Sequence, residues 1–483
     1  MENLLFFLSV FLSVVLLSSS SSSSSFTPTD NHLLSCGSEG PVKAPDNRVF
    51  LPDSDSDSIL LSTLTRISIQ HPKPPPNFNP LYESARIFTK TSSYSFPIKS
   101  TGTHIIRLHF APFTASRYKL SSAVFHVSAQ RLSLLKNFSV PESTNVVKEY
   151  IIDVGSAKKL VINFHPSCKS SLAFVNAIEV ISAPDDLVAD VGRWVDATGI
   201  KDFPGLHGIW LETVHRINVG GPKVTPFNDT LWRNWIPDEE FLRLKDSSKA
   251  IYFGGRIKYQ PGGATRLIAP DNVYNTARVL NVENADVLDP KFNITWEFPV
   301  SLGYKYLVRM HFCDIVSSVL NQLYFDVYIN GFSAYEDLDL SHLADQMLAS
   351  PHYVDFVVEP EKSGVIRVTV GPSNLSGSSH INAILNGLEI MKLNNSMGSL
   401  DGEFEAAARA ESWMSGKVGI FLCSVLGGIA FMCIVVAVYM LVSRRWTTLR
   451  DSVSWSPLPP DASEGAMKYR NMLRTGNLGY ARV

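Results

Sequence analysis

The chain repeats itself along its length. Five short blocks in the first half of the 483 residues recur in the same order in the second half. The clearest pair is IRLHF at Ile106 and VRMHF at Val308, which lie 202 residues apart. The other blocks begin at His32 and His215, Ala85 and Ala277, Phe125 and Phe325, and Val175 and Ile381. Ordered repetition of this kind predicts two homologous units in tandem.

Each unit has the sequence pattern of a β-sheet protein. β-Branched and aromatic residues alternate with polar ones in short runs, and Gly, Pro, Asn and Ser separate the runs. In the first repeat Ile106, Leu108 and Phe110 share one face of a predicted strand. We therefore expect an all-β ectodomain of two sandwich modules, residues 26–205 and 206–393. The segment around Asp202-Phe203-Pro204-Gly205 is the predicted connector between them, since Pro and Gly interrupt strands.

A second feature places this β region relative to a membrane. Residues 418–442 contain no charged side chain, and 25 helical residues extend about 37 Å, enough to cross a bilayer core of about 30 Å. Lys417 precedes this segment, and Arg444 and Arg445 follow it. The positive-inside rule then predicts a single-pass type I protein of the plasma membrane, with an extracellular N-terminus, a juxtamembrane linker at 394–417 and a disordered cytoplasmic tail at 443–483.

The N-terminus carries a shorter apolar run. Leu4 to Leu17 has the length of a signal-peptide core and is short for a membrane span. Glu2 stands where a signal peptide usually has a basic residue, so an uncleaved anchor stays the alternative. We predict that residues 1–25 are a secretory signal.

Charge and motifs limit the function classes. Lys plus Arg number 43 against 45 Asp plus Glu, a near-balance that argues against nucleic acid as a partner. No metalloprotease, serine-hydrolase, CxxC or P-loop motif occurs, and the 41 residues at 443–483 lack the Gly-rich loop, Lys and Asp set of a kinase. We expect no enzyme activity, cofactor or metal. Paired carboxylates for glycoside cleavage stay open, because their spacing is spatial.

The predicted exterior holds five glycosylation sequons and three cysteines. The sequons begin at Asn137, Asn228, Asn293, Asn374 and Asn394. Cys36 and Cys168 are a possible disulfide within the first module, although spacing alone cannot establish its geometry. Cys313 lies on a predicted strand and is expected to be a buried thiol. Asp53 begins an acidic run that we interpret as a solvated loop, since it lacks the turn Gly of a calcium loop.

Two groups of residues are candidates for ligand binding. Arg107 and His109, with their repeats Arg309 and His311, point away from the apolar face of their strands. They either face a ligand or make hydrogen bonds between strands and modules. Trp232 and Trp235 either stack on sugar rings or fill the seam between the modules.

Several long stretches resemble one known family. They include FTPTDNHLLSCGS from Phe26, FVNAIEVISAPDDL from Phe174, LETVHRINVGGPKVTPFNDTLWRNWIPD from Leu211 and INAILNGLEIMKL from Ile381. The chain is similar in these stretches to the plant malectin-like receptor kinases, the group that includes THESEUS, FERONIA and HERCULES. The resemblance implies tandem malectin-like, jelly-roll-like β-sandwiches that sense secreted peptides or cell-wall polysaccharide, often with a small lipid-anchored co-receptor.

The family also carries an intracellular Ser/Thr kinase, and here this sequence departs from the pattern. Three hypotheses follow. The chain is a receptor-like protein that acts through full-length receptor kinase relatives or as a decoy. It is a structural tether from the wall to the membrane that binds pectin-like polysaccharide. Or it is the truncated product of a gene that encodes an active kinase.

Overall fold

The structure is a computed structural model that describes residues 26–54, 59–281, 293–376, 382–401, 432 and 435–441. The chain divides into two compact units, Met1–Ala407 and Ala408–Val483. All strands of the described residues lie in the first unit. The predicted signal at 1–25 and tail at 443–483 lie outside the described residues.

Strands dominate the first half of the described chain. Their bounds are β1 Asn31–Ser35, β2 Val42–Lys43, β3 Val49–Pro52, β4 Leu60–Ser62, β5 Ile67–Gln70, β6 Ser84–Phe88, β7 Ser92–Pro97, β8 Thr103–Phe110, β9 Thr114–Ala115, β10 Tyr118–Lys119, β11 Phe125–Ala129, β12 Leu132–Phe138, β13 Val146–Asp153, β14 Lys159–Pro166, β15 Ala173–Val175 and β16 Ala177–Ser182.

The second half continues in the same way. Its strands are β17 Val191–Asp196, β18 Gly199–Pro204, β19 Leu211–Asn218, β20 Ile236–Pro237, β21 Ser248–Tyr252, β22 Thr276–Leu280, β23 Ile294–Pro299, β24 Tyr306–Cys313, β25 Tyr324–Ile329, β26 Phe332–Asp339, β27 Pro351–Val358, β28 Val365–Pro372, β29 Ile384–Leu385 and β30 Gly387–Leu393.

Helices are few and short in the described residues. Between residues 26 and 401 the described chain has two α-helical turns, α1 at Asp271–Tyr274 and α2 at Leu340–Leu343. The 3₁₀ turns are Pro80–Tyr82, Leu120–Ser122, Asp185–Leu187, Leu206–Gly208, Pro226–Asn228 and Lys245–Ser247. The described residues are mostly β, in agreement with the strand pattern of the sequence.

One large sheet runs through both halves. Its strand order is β18-β17-β27-β24-β30-β19-β13-β8-β16-β1-β3-β2, with β20 beside β19. The halves meet where β13 pairs antiparallel with β19, at Tyr150 opposite Glu212. The remaining larger sheets have the orders β12-β11-β14-β7-β4, β23-β28-β25-β26, β15-β6-β5 and β21-β22-β29.

Two hydrophobic cores lie on one face of the large sheet. In the first core Ile106, Leu108 and Phe110 of β8 pack with aromatic side chains that include Phe125 and Phe164. The second core repeats this with β24 and the sheet that contains β25. The predicted inward face of the IRLHF strand is therefore correct. The two cores match the predicted repeat, whereas the module boundaries stay a prediction.

A third core covers the other face of the large sheet. Ile105, Ile151 and Leu211 contribute from the strands, and Trp235 and Tyr274 pack over them from the segment between β19 and β22. The reverse face of the sheet is thus buried where the two halves join. A strand with both faces buried has no solvent-facing side, so its polar residues need partners inside the protein.

The turn between β25 and β26 contains the residue types that its backbone geometry favours. Asn330 and Gly331 form the two-residue turn between β25 and β26, with φ of 53° and 82°. A left-handed pair of this kind matches the twist of two antiparallel strands, and Asn-Gly adopts it at low cost.

The predicted connector between the modules is not a free linker. Asp202 and Pro204 lie in β18, which pairs with β17. The predicted connector is therefore partly an edge hairpin of the large sheet.

No helix among the described residues is long and apolar enough to cross a membrane. The predicted span at 418–442 lies mostly outside these residues, since only 432 and 435–441 of it are described. Those eight positions are helical.

Candidate functional site

Two equivalent arginines stand at the same place in the two halves. Arg107 donates from Nε to Glu149 at 2.7 Å and from Nη1 to Glu179 at 2.9 Å. Arg309 donates from Nε and Nη2 to Asp355 at 2.7 and 2.8 Å. Neither residue is more than 3% exposed. These arginines make buried ion pairs between strands, and a ligand-facing role for them stays a prediction.

Each of these arginines also reaches the other half of the chain. Arg107 donates from Nη2 to the Leu231 carbonyl at 2.8 Å, and Arg309 donates from Nη1 to the Leu187 carbonyl at 2.8 Å. One bond is donated by the first half to the second, and the other is donated by the second half to the first. They hold the halves in one orientation, which is the alternative that the sequence left open.

The two histidines repeat this pattern. His109 contacts Glu179 at 3.0 Å and the Tyr82 hydroxyl at 3.3 Å. His311 contacts Glu389 at 3.2 Å and the Tyr274 hydroxyl at 3.1 Å. Burial lowers the pKa of His311, which is fully enclosed. Both rings are therefore held by internal partners, and a ligand-facing role for them stays a prediction.

Arg216 joins the two ion-pair groups. It donates to Glu149 at 2.7 Å and to Glu389 at 2.7 Å. Burial alone would raise the pKa of Glu149, but the guanidinium groups of Arg216 and Arg107 outweigh it and lower that pKa to about 2. Alternating charges thus run without a break across the junction of β13 and β19.

Asp229 organises the predicted tryptophan segment. Its carboxylate accepts hydrogen bonds from the Arg233 side chain at 3.0 Å and from the Trp235 indole at 2.9 Å. Trp235 is fully buried in the third core, as the seam interpretation expects. Trp232 is only partly buried, and its φ is 56°. The two tryptophans therefore have different roles, and only Trp232 reaches a surface.

That surface is a cleft of about 440 Å³ between the two halves. Arg107, His109 and Glu179 line its floor. The hairpin of β2 and β3 supplies one wall, and residues 223–234 supply the other. The Arg48 guanidinium lies 5.1 Å from the centre of the Trp232 ring and donates to Glu179 at 2.6 Å. Sequence reasoning did not identify Arg48, Tyr82 or the cleft, because no local pattern shows that these segments meet.

A second repeated motif also escapes sequence reasoning. Asp53, which we predicted to lie in a solvated loop, is buried and accepts hydrogen bonds from Arg86 and from Tyr94. Asp238 does the same in the second half with Arg278 and Trp296. A signal is present in the sequence, since ARI at Ala85 repeats as ARV at Ala277.

One repeat pair is aligned wrongly by sequence alone. The sequence repeat matches Asn176 with Asn382. In the structure, the residue of the second half that occupies the position equivalent to Asn176 is Asn386. Asn176 accepts from the backbone of Ala111, and Asn386 accepts from that of Cys313, both at 2.7 Å. The true offset is 210 residues, which also pairs Glu179 with Glu389.

The possible disulfide between Cys36 and Cys168 does not form in this structure. Cys36 and Cys168 are both free, with Cys36 buried in the first core and Cys168 exposed on a turn. Cys313 is buried, as predicted, and burial raises the pKa of its thiol.

The five sequons differ in exposure. Asn137, Asn228 and Asn374 are exposed, whereas Asn293 and Asn394 are partly buried. The Asn394 side chain accepts a hydrogen bond from the Trp210 backbone at 2.9 Å. Glycosylation of each site stays a prediction.

Comparison with known proteins places this geometry in a family. The profile of the malectin-like domain family matches residues 34–393. The receptor-like protein kinase HERK 1 of Arabidopsis thaliana is 40% identical over 92% of this chain and 52% of its own length. The receptor-like protein kinase THESEUS 1 of the same plant is 41% identical over 78% of the chain and 43% of its own length. The chain thus spans about half the length of these curated relatives.

Solved structures agree with the sequence relatives. The ANXUR1 extracellular domain from Arabidopsis thaliana aligns with a TM-score of 0.69 and 29% identity, over 77% of this chain and 99% of that domain. A crystal structure of the plant peptide RALF23 in complex with FER and LLG2 aligns with a TM-score of 0.67 and 29% identity, over 78% of this chain and 99% of the matched chain.

Proposed function

The chain belongs to the malectin-like domain family, and on that premise we propose that it is a single-pass cell-surface receptor-like protein whose ectodomain binds a secreted peptide. One observation carries the proposal. The described ectodomain shares its fold with the FER chain that was crystallised with the peptide RALF23 and with LLG2. We therefore also propose a small lipid-anchored co-receptor as a partner.

Binding of the peptide is measured directly. The full chain, purified in detergent and captured through a C-terminal tag, is titrated with RALF23 in the presence and absence of LLG2. We expect saturable binding that tightens at least tenfold when LLG2 is present, because a second protein adds contact area to one peptide. A scrambled RALF23 sequence is the control. Equal binding of both peptides, or no binding of either, contradicts the proposal.

Signalling belongs to the same proposal. A polypeptide with this sequence would act through a full-length receptor kinase relative, or as a decoy that removes ligand from one. The rival is that the sequence is a piece of a longer receptor kinase, since the relatives are about twice as long. Reading the transcript past the codon for Val483 separates these cases. An in-frame kinase region would overturn the decoy role and leave peptide binding intact.

Binding of cell-wall polysaccharide is a second candidate function, either in signalling or as a tether. The aromatic side chains at the cleft favour it, because Phe227 is 65% exposed there and Trp232 is only partly buried. Apolar rings left at a surface of a folded protein mark a contact site when they group together.

A further inference from the structure

A buried histidine of β8 makes contacts that only its protonated form can complete, and we propose that this residue, His104, makes the fold sensitive to pH. In its protonated form the ring holds residues 26–30, which precede β1, against β8. The attachment loosens when the pH around the ectodomain rises. The inference goes beyond the proposed function and does not depend on peptide binding.

The His104 ring lies between two hydrogen-bond acceptors. Its Nδ1 atom is 3.0 Å from the Gly102 carbonyl oxygen, and its Nε2 atom is 3.2 Å from Oδ2 of Asp30. A neutral imidazole has one N–H donor, whereas an imidazolium has two. His104 is fully buried, so bulk water does not reach the ring to replace a lost bond. The ring therefore completes both bonds only when it is protonated.

The proton between the two side chains comes from the ring and not from Asp30. The Asp30 carboxylate accepts from the backbone N–H groups of Lys99 and Ser100, at 3.0 and 2.9 Å. Burial alone would raise the pKa of Asp30, but these backbone bonds and the contact with His104 outweigh it and lower that pKa. An ionised carboxylate can only accept, so His104 must donate to it.

Two other buried histidines do not need a charge to satisfy their partners. His109 and His311 each contact one glutamate and one tyrosine hydroxyl. A hydroxyl can donate, so a neutral ring can donate to the glutamate and accept from the tyrosine. Of these three rings, His104 is therefore the one whose hydrogen bonds depend on its charge.

The second half of the chain has no histidine at the equivalent place. The offset of 202 residues between IRLHF and VRMHF matches His104 with Tyr306. The Tyr306 hydroxyl donates to the Ser301 carbonyl at 2.7 Å, and burial raises the pKa of this phenol. Tyr306 therefore stays neutral where a histidine titrates, and the second half is an internal control for the first.

The surroundings of His104 contain both signs of charge. The charged and titratable side chains on the elements packed around it are Asp30, His32 before and in β1, Lys99 after β7, Asp153 of β13, Lys158 before β14 and Asp185 after β16. Burial lowers the pKa of His32, so that ring loses its proton at a lower pH than an ordinary histidine. Among the carboxylates, Asp30 is the one that contacts the His104 ring.

Asp30 attaches residues 26–30 to the first half. Its backbone N–H donates to Oγ of Ser182 at 3.1 Å, and its carbonyl accepts from the Ser182 N–H at 2.9 Å. At the start of the segment, Phe26 packs against the third core, which both halves share. A neutral His104 ring gives up one of its two bonds, so the stabilising contribution is complete at low pH. It is lost as the pH rises through the range in which histidines titrate, about pH 5 to 8.

The test follows the full chain in detergent from about pH 5 to about pH 8. Exchange of the Cε1 hydrogen of each histidine, read by mass spectrometry, reports the protonation of that ring. Amide hydrogen exchange reports local opening. We expect the protection factors of residues 26–31 and of the amides of Lys99 and Ser100 to fall about tenfold as His104 loses its proton. Protection of β24 around Tyr306 should stay the same.

His104→Gln separates charge from packing, because the amide keeps an N–H donor for Asp30 and does not titrate. In this variant we expect the protection of residues 26–31 to be independent of pH. The matched control is His342→Gln, which replaces an exposed histidine and should behave like the unmodified chain. Unchanged protection in the unmodified chain, or an equal fall in His104→Gln, overturns the proposal. A His104 ring that is neutral at about pH 5 also overturns it and needs no variant.

Discussion

Arg216 lies where β13 and β19 meet, and it contacts a glutamate from each half of the chain. Its partner Glu149 is 7% exposed and accepts from two guanidinium groups. A buried charge that loses its partner is strongly destabilising, because desolvation is then uncompensated. The residues of this network therefore set the stability of the junction more than ion pairs at the surface do.

Replacing Glu149 with Gln should lower the free energy of unfolding by about 3–5 kcal/mol, because Arg107 and Arg216 keep their charges and lose a carboxylate. Urea denaturation at pH 7 measures the change. The control is Glu142→Gln, whose partner is Lys119 on the exposed surface. There we expect a loss of less than about 1 kcal/mol. Equal losses in the two variants would contradict the structural role of the network.

The lowered pKa of Glu149 also predicts that the stability of the protein depends on pH. The pKa of Glu149 is about 2 in the folded protein, below the ordinary 4.5 of a glutamate. A lowered folded pKa means that its contribution to stability is complete above about pH 4.5 and is lost as the pH falls toward 2. Urea midpoints of the unmodified chain should decline in this window more steeply than those of Glu149→Gln. Parallel declines would exclude Glu149 as a source of acid sensitivity.

At the scale of elements, the segment after β30 returns to the first half. Leu400 donates its backbone N–H to Ser133 of β12 at 2.9 Å, and Lys136 donates its backbone N–H to Asp401 at 2.9 Å. The Leu400 side chain is fully buried in the first core, far along the chain from its neighbours there. The segment that follows β30 therefore binds to β12, which is the edge strand of its sheet in the first half.

Leu400→Ala should cost about 2–5 kcal/mol of stability, since it removes a buried side chain and leaves a cavity. Hydrogen exchange should show the largest loss of protection in β12. Met397→Ala is the control in the same segment, because Met397 is 66% exposed and should change stability little. A Leu400 variant as stable as the Met397 variant would show that this segment is not part of the fold.

At the scale of the whole molecule, one sheet and a shared third core make the two halves a single structure. Calorimetry of the full chain should therefore show one unfolding transition for the β region, with equal calorimetric and van 't Hoff enthalpies. Two separable transitions would indicate that the halves unfold independently. In that case β13, β19 and Trp235 would not join the halves into one cooperative unit.

The strand pattern was predictable because it depends on neighbours in sequence. Alternation in IRLHF placed Ile106, Leu108 and Phe110 on the core face, and the structure agrees. The polar face was not predictable in the same way. Arg107 looks exposed in the sequence, yet the Leu231 carbonyl, 124 positions along the chain, covers it.

The site shows the same division. Trp232 and Trp235 are three residues apart and look alike in sequence, but one borders the cleft and the other lies in the third core. The difference comes from Asp229, whose carboxylate accepts hydrogen bonds from Arg233 and from the Trp235 indole. These bonds hold the Trp235 ring inside the protein and do not involve the Trp232 ring.

The sequence by itself determined the all-β character, the internal repeat and the family, because each is written in local alternation and in the order of motifs. Only the tertiary structure decided that Arg107 and Arg309 donate hydrogen bonds to the other half of the chain, that Cys36 and Cys168 form no disulfide, and that Trp232 borders an open cleft. The physical reason is that burial and ion pairing depend on segments far apart in the chain, whose meeting no local pattern records.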